Sequence, residues 1–424
     1  MDCGNIGLSW DWIIIGAGAA GLMAAARAAE YGKKTLLLEK NSKVGVKILM
    51  SGGTRCNITQ ATDEKGIANA FGKQGRFLRS ALAALSPRQV VELIEDAGVP
   101  TKTEETGKIF PVSDRAIDVR DALLNRAIER GVYLLNNSPV SNIRKSGEAF
   151  YVSVGDTEHV AANLLITSGG QSYPGCGTTG DGYAWARQFG HRVVQPVPAL
   201  TPITTNADWI RDLKGITISD ARVSIVENNP QKATQGFTSK DFLDSRRSSL
   251  LLTHFGFSGP AALDVSRTIT RYERPRDLSL ICDFFPEPNF EQFYLELGDK
   301  IKQLGKKQIA SIVTEFVPRR LAEAVVQFAE LSGEAKAAEL SKKQIRKLAL
   351  AIKSPIVPVS GTLGFKKAEV TAGGVCLDEI DSSTMQSKIV PGLYFAGEVL
   401  DVDGPIGGYN FQAAFSTGWL AGSQ

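Results

Sequence analysis

The chain has few of the residues on which metal and thiol chemistry depend. Its 424 residues include three histidines and five cysteines. The cysteines (Cys3, Cys56, Cys176, Cys282 and Cys376) stand far apart, with no CxxC pair. A disulfide framework, a zinc site and a dithiol redox centre are therefore not expected. No metal-ligating cluster stands out. No charge of one sign dominates: 48 Lys and Arg face 45 Asp and Glu, a net +3. So balanced a total predicts neither nucleic acid nor a membrane surface as partner. No apolar run approaches the roughly 18 residues of a membrane span. The start, MDCGNIGLSWDW, lacks a basic leader segment and runs straight into a strand, so no signal peptide is expected. The expectation is a reduced, cytoplasmic protein. The length suits two or three domains, and no repeat or low-complexity stretch appears.

What is present is concentrated near the start. Ile13, Ile14 and Ile15 end in Gly16-Ala17-Gly18-Ala19-Ala20-Gly21, an alanine-rich helix follows, and a second apolar strand closes on Glu39 and Lys40. This is a βαβ unit with a dinucleotide fingerprint. Gly16 makes the tight turn, Gly18 lets a pyrophosphate approach bare backbone, and Gly21 lets the helix pack on the strand. The helix N-terminus, at Ala19 and Ala20, offers N–H groups and the positive end of a dipole. Glu39, eighteen residues past Gly21, is placed for the ribose hydroxyls. By itself the fingerprint leaves NAD and FAD open.

Further along, residues 76–97 read as two helices and 116–129 as another. VYLLNN, a hairpin over 142–155 and ANLLITSGG (162–170) read as strands, the last parallel and opening on the ligand edge. Pro-rich VVQPVPALTPITT marks a change of character. The pattern is then strand-rich, helical over 289–348, and α/β again near the end. The predicted fold is α/β, with a discontinuous FAD-binding Rossmann-like domain of the glutathione-reductase type at 1–195 and 366–424. A β-rich domain at 196–288 with 349–365, and a helical domain at 289–348, would interrupt it.

The far end chooses FAD. PGLYFAGEVLD is a short strand ending in Gly397-Glu398. Asp403 and a second glycine cluster closing on Gly407 and Gly408 then open a helix at Tyr409. Reduced flavin carries negative charge near N1 and O2, which a helix N-terminus stabilises. Asn410 and Gln412 are expected to add amide donors there. Ser168, Gly169 and Gly170 end the strand of TSGG near the adenylate, and Val140 suits backbone contact with adenine. The loop KILMSGGTRCN offers Lys47, Ser51, Gly52, Gly53, Arg55, Cys56 and Asn57 to phosphate, ribityl and ring.

These segments give the chain a specific resemblance. GAGAAG, KILMSGGTRCNIT, TSGGQSYPGCGTTGDGYAWARQFGH, ALTPI, LLTHFGFSGPAAL, AEVTAGGV and GLYFAGEVLDVDGPIGGYNFQAAFSTG resemble the bacterial BaiN-type flavoproteins, a family with bile-acid reductase-like and aminoacetone oxidase-like members. The resemblance implies a non-covalent FAD domain interrupted by a β-barrel-like and a helical domain. Val46, Thr54 and Gln60 stand where the family has Arg, Gly and Asn, so Thr54 adds a side chain to a bare loop.

The expected activity is hydride transfer at flavin N5 between a small organic substrate and NAD(P)H or O₂. No second fingerprint appears, so NAD(P)H would dock transiently. Reductase and amine or amino-ketone oxidase both remain open. The alternative is a flavin-containing module that modifies or binds RNA or protein. Candidate catalytic residues are Cys56 beside Arg55, His254 as an acid ahead of a helix capped by Ser258, and Tyr409 as a pocket wall. A packing role for Cys56 and a shaping role for His254 are the competing readings. His191 reads as a helix cap and Asp181 as an N-cap.

Overall fold

The computed structural model describes residues 6–424, with side-chain surroundings from Trp10 onward; Cys3 lies outside them. The chain forms two compact units, Met1–Pro198 with Glu369–Gln424, and Ala199–Ala368. Among the described residues no helix is long and apolar enough to cross a membrane.

The first unit is built on the β-branched run Trp12–Ile15. Ile13 and Ile14 are fully buried, as a central strand covered on both faces requires. The strand Ile6–Ile15 pairs in parallel with Thr35–Leu38 on one side and Thr157–Ile166 on the other. Tyr133–Leu135 extends the first side, also in parallel. The ten-residue strand Thr157–Ile166 carries two different neighbours along its outer edge. Its start pairs antiparallel with Ala149–Val154, and its end pairs in parallel with Leu393–Phe395. The end of the chain thus returns to the C-terminal edge of the sheet, where open α/β folds hold ligands.

Two helices cover one another beside that sheet. Ala19–Glu30 is almost entirely buried, and Tyr409–Gly422 lies against it. A Cβ on Gly418 would stand 2.3 Å from the Ala20 carbonyl oxygen, and one on Gly422 2.3 Å from that of Ala24. Only glycine permits this backbone contact.

Buried Ser387 and His191 form a chain with partly exposed Glu379 in this unit. His191 Nε2 lies 2.8 Å from Ser387 Oγ and Nδ1 3.2 Å from Glu379 Oε2. Ser387 Oγ also accepts from the Ile389 and Val390 amides. The hydroxyl therefore donates to His191 and is committed to holding a turn. The expected helix cap is thus a core ligature between two loops.

In the second unit seven strands pair in the order Ile356–Pro358, Leu278–Asp283, Thr217–Glu227, Asp244–Thr253, Gly256–Ser258, Ile203–Thr204 and Gly361–Thr362. The first and last of these are separated by only two residues. Three extended steps span at most about 11 Å, so the sheet must curl until its two edges approach. The sequence reading separates a β-rich from a helical domain here. The structure joins them: Phe293, Leu297, Val325 and Ile352 share one buried cluster with Val223, Leu250 and Leu280. A single core makes Ala199–Ala368 one unit. The long helical pattern over 307–331 is split at Pro318 into Ile309–Val313 and Arg319–Phe328, because proline cannot continue the preceding turn.

Burial holds the His191 pKa below its ordinary 6.5. The unfolded chain therefore binds a proton first on acidification, and the stability that neutral His191 contributes is lost as the pH falls through 6.5. His191→Gln is expected to be less stable than wild type at pH 8, with the difference narrowing by pH 5. Denaturant midpoints across that range check it; a constant difference would contradict the assignment.

Candidate cofactor site

Gly16 has φ +106°, and a Cβ there would meet the Thr167 carbonyl oxygen at 2.7 Å. Gly21 is tighter still, with its would-be Cβ 1.9 Å from the Gly16 carbonyl oxygen. Gly18 differs in kind: a Cβ on it would meet nothing within 4 Å. Its bareness serves no contact within the protein and leaves space at the helix N-terminus. Gly18 is also the N-cap, with no side chain capping the first turn of Ala19 and Ala20. Helix ends normally satisfy those N–H groups by side chains, water or ligands. Ser168 Oγ, at the end of the neighbouring strand, is buried with no hydrogen-bond partner among the described residues. An open glycine and an uncapped helix fit the pyrophosphate of a dinucleotide, whereas the Ser168 hydroxyl is packed beneath Gly182.

Glu39 is 7% exposed. Its Oε2 accepts from the Ala17 amide at 3.0 Å and its Oε1 from the Asn41 amide at 2.8 Å. Each oxygen keeps a lone pair for a ribose hydroxyl. Lys40 is occupied by Asp181 at 2.6 Å and Thr179 at 2.7 Å. Asp181 is thus an ion-pair partner; the N-cap of its helix is Gly180. Val140 opens an antiparallel strand opposite Val154.

The C-terminal half meets the fingerprint directly. Gly397 has φ +77°, and a Cβ there would approach the Ala20 methyl to 2.8 Å. Gly408, at φ +90°, is the N-cap of Tyr409–Gly422, again with no side-chain cap. A second helix in the same unit therefore starts without a side-chain cap, although Gly408 itself packs on the Thr59 backbone. Asn410 and Gln412 are not the expected donors. Asn410 Oδ1 accepts from the Gly404 amide at 2.8 Å, and its Nδ2 donates to the carbonyls of Gly404 and Pro405. Gln412, fully buried, accepts from Thr59 Oγ1 and donates to Leu85 O and Ser416 Oγ. Both amides are consumed in shaping the loop. Asn57, in the orientation its neighbours require, accepts from the Gly408 amide at 3.0 Å. Asp403 is buried, and Tyr409 packs at the rim of the core.

The loop after Gly45 divides by role. Ser51 Oγ donates to Ile48 O, and Gly52 and Gly53 take positive φ, with open space above Gly53. Arg55 turns away: it is ion-paired with Glu104 and Asp114 and stacked 3.8 Å over Phe110. Cys56 is fully buried, and burial pushes its thiol up to about 12. That is the reverse of the activated thiol considered from sequence. Thr54 lies at φ +71°, a conformation that strains a β-branched residue; the family's glycine at this position would be relaxed there. His254 occupies an exposed turn of the second unit, its carbonyl accepting from Arg211 Nε at 3.1 Å. The helix after it is capped by Gly259, in place of Ser258.

Lys47 reveals a cluster that motif reasoning passed over. Its ammonium lies 2.5 Å from Glu398 Oε2 and 2.6 Å from Ser172 Oγ. Glu398 Oε1 accepts from Ser172 Oγ and from the Thr371 amide, both at 2.8 Å. Thr371 Oγ1 in turn accepts from the amides of Gln171 and Ser172. Beside them Tyr173 Oη lies 3.5 Å from Glu369 Oε1. Burial raises the Glu369 carboxyl, opposed by Lys47, and burial with the Glu369 charge pushes Tyr173 up to about 12. Gln171, Ser172, Tyr173, Glu369 and Thr371 sit in TSGGQSYPGCG and AEVTAGGV, segments whose resemblance was visible without any role for these side chains. Among the described residues no group of acids, histidines and cysteines is arranged to hold a metal ion.

A family model described as HI0933-like protein Rossmann domain matches residues 10–424. The chain is 34% identical over 413 residues to a ribosomal RNA dihydrouridine synthase of Haemophilus influenzae, with 96% of each chain covered. It is 32% identical over 411 residues to the Escherichia coli protein of the same name, covering 97% of this chain and 96% of that one. It is 29% identical over 413 residues to a 3-dehydro-bile acid delta(4,6)-reductase of Clostridium scindens, covering 96% and 97%.

The glycines separate folding from binding. Gly18→Ala is expected to keep the wild-type melting temperature and lose tenfold or more in flavin affinity, whereas Gly21→Ala is expected to fail to fold; cofactor-free thermal melts and flavin titration distinguish them. Thr54→Gly is expected to stabilise the fold by about 0.5–1 kcal/mol, the relief of left-handed strain less the entropy of a glycine, read from urea unfolding.

Proposed function

The chain belongs to the HI0933-like protein Rossmann domain family, and on that footing we propose that it is an FAD-dependent oxidoreductase that saturates a carbon–carbon double bond conjugated to a carbonyl. The observation that carries this reading is the pair of helix N-termini that start at Gly18 and Gly408 without side-chain caps in one unit. One suits the pyrophosphate; the other suits the flavin edge that becomes negative on reduction. FAD held there supplies two-electron hydride chemistry. Glu39 would hold the adenosine ribose. Lys47 and Glu398 would order the loops between the two helix ends.

The relatives support the substrate class. Two are named for dihydrouridine synthesis in ribosomal RNA and one for reduction of a 3-dehydro bile acid. In each case a carbonyl polarises the double bond that is lost. Identity is higher to the two RNA-named relatives, which makes a uracil ring of ribosomal RNA the first reading and a conjugated ketone the second. Charge distribution favours the first. The inserted unit carries 25 Lys and Arg against 19 Asp and Glu, while the cofactor unit carries 23 against 26. The balanced total of +3 averages a basic unit with an acidic one, and a basic surface is what a polyanion requires.

Anaerobic mixing with NADH and with NADPH is expected to bleach the flavin. Adding ribosomal RNA is then expected to restore its colour, with uridine gaining two hydrogens in the nucleoside mass spectrum. Recolouring only by a conjugated ketone would select the second reading. A flavin bleached only by an amine and recoloured by air would reject both in favour of an oxidase.

A further inference from the structure

Saturating a conjugated double bond takes a hydride and a proton, and the proton needs a donor. Few described titratable groups of the cofactor unit's C-terminal sheet edge can serve. Cys56 is sealed, Tyr183 is 2% exposed, and Lys47 is engaged with Glu398 and Ser172. Tyr173 is different. It is partly exposed, three residues beyond the glycine pair that ends the Thr157–Ile166 strand.

Its placement is unusually constrained. The preceding residue, Ser172, is fully buried, and its amide and hydroxyl are both fixed, by Thr371 and by Glu398 with Lys47. Tyr173 itself takes φ +51°, ψ +63°, a left-handed conformation that a bulky residue rarely adopts. Its carbonyl accepts from the Cys176 amide at 2.8 Å and from Thr178 Oγ1 at 3.2 Å. Thr178 also bonds the Ser172 carbonyl. Such strain persists only where surrounding bonds enforce it, and it concentrates at functional sites. Its effect is to present the phenol toward the Glu369 carboxyl at 3.5 Å. Around the pair stand Lys47, Glu398 and Cys176.

We propose that Tyr173 is the proton donor for double-bond reduction, held in place by Glu369 as a positioning residue. The inference rests on the reductase reading above. FAD, when bound and reduced, would supply a hydride to the substrate carbon β to the carbonyl, and the electron pair of the double bond would move to the α-carbon and carbonyl. The α-carbon takes the proton of Tyr173 Oη. The phenolate recovers its proton from water, with the Glu369 carboxylate accepting from the restored hydroxyl. The substrate is reduced, the cofactor is oxidised, and a nicotinamide donor restores it.

The two half-reactions test this separately. In Tyr173→Phe, bleaching of the flavin by the nicotinamide is expected at the wild-type rate. Recolouring by the oxidising substrate is expected to slow about 100-fold or more, the range of general acid catalysis. Recolouring at the wild-type rate would overturn the proposal, and so would equal slowing of both halves. A wild-type enzyme that no conjugated substrate recolours would sink the reductase reading as well. A readout independent of turnover comes from tyrosinate absorbance in the cofactor-free protein. At about pH 10.5, near the ordinary tyrosine pKa, Tyr173→Phe is expected to lose almost no signal, since Tyr173 remains protonated. Glu369→Gln is expected to gain signal, with a recolouring rate between those of wild type and Tyr173→Phe. A Tyr173 that ionises with the other tyrosines, or ignores Glu369→Gln, would remove the pair from the mechanism.

Discussion

Backbone pressed on backbone is the constraint from which the cofactor unit follows. Gly21 lies against the Gly16 carbonyl, Gly418 against that of Ala20, and Gly422 against that of Ala24. Ordinary helix packing keeps axes 8–10 Å apart by side-chain ridges, and these contacts remove the ridges. The two helices are thereby drawn together with the sheet edge, so that the uncapped ends at Gly18 and Gly408 lie in one unit although 390 positions separate them. Thr167, Gly397 and Thr417 tie the same junction: Thr167 Oγ1 donates to the Gly16 carbonyl, and the Gly397 amide donates to Thr417 Oγ1.

Much of this was legible from sequence because backbone demands leave a compositional trace. A glycine at φ +106° or beneath a carbonyl cannot be another residue, so Gly16, Gly21 and Gly408 announce themselves. The helix Ala116–Glu129 was readable to its ends because apolar spacing is a one-dimensional signal. Side-chain partnerships leave no such trace. Nothing in the spacing of Asn410 and Gln412 reveals that their amides are spent on Gly404 and Leu85. Nothing around Arg55 reveals that Glu104, Asp114 and Phe110 claim it. The Lys47–Glu398–Ser172 cluster joins positions more than a hundred residues apart, and only the fold brings them into contact.

The same limit explains the two domain-scale differences. Periodicity distinguishes strands from helices but not whether they share a core, so the sheet and helices of Ala199–Ala368 read as two domains and pack as one. Net charge is likewise a sum over the whole chain. It cancels the basic excess of one unit against the acidic excess of the other, and the partition becomes visible only once the units are drawn.

The strand Thr157–Ile166, with its two outer neighbours from distant parts of the chain, also bears on how the protein is made. Ala149–Val154 emerges from the ribosome just before it, whereas Leu393–Phe395 emerges more than two hundred residues later. During that interval the Leu164–Ile166 edge and the Ala20 and Ala24 side of the first helix lack their covering layer. Exposed strand edges of this kind invite wrong pairing. The inserted unit, contiguous from Ala199 to Ala368, has all its partners in hand before the cofactor unit does. Vectorial synthesis therefore favours completing the middle of the protein first, with the last helix closing a half-built sheet.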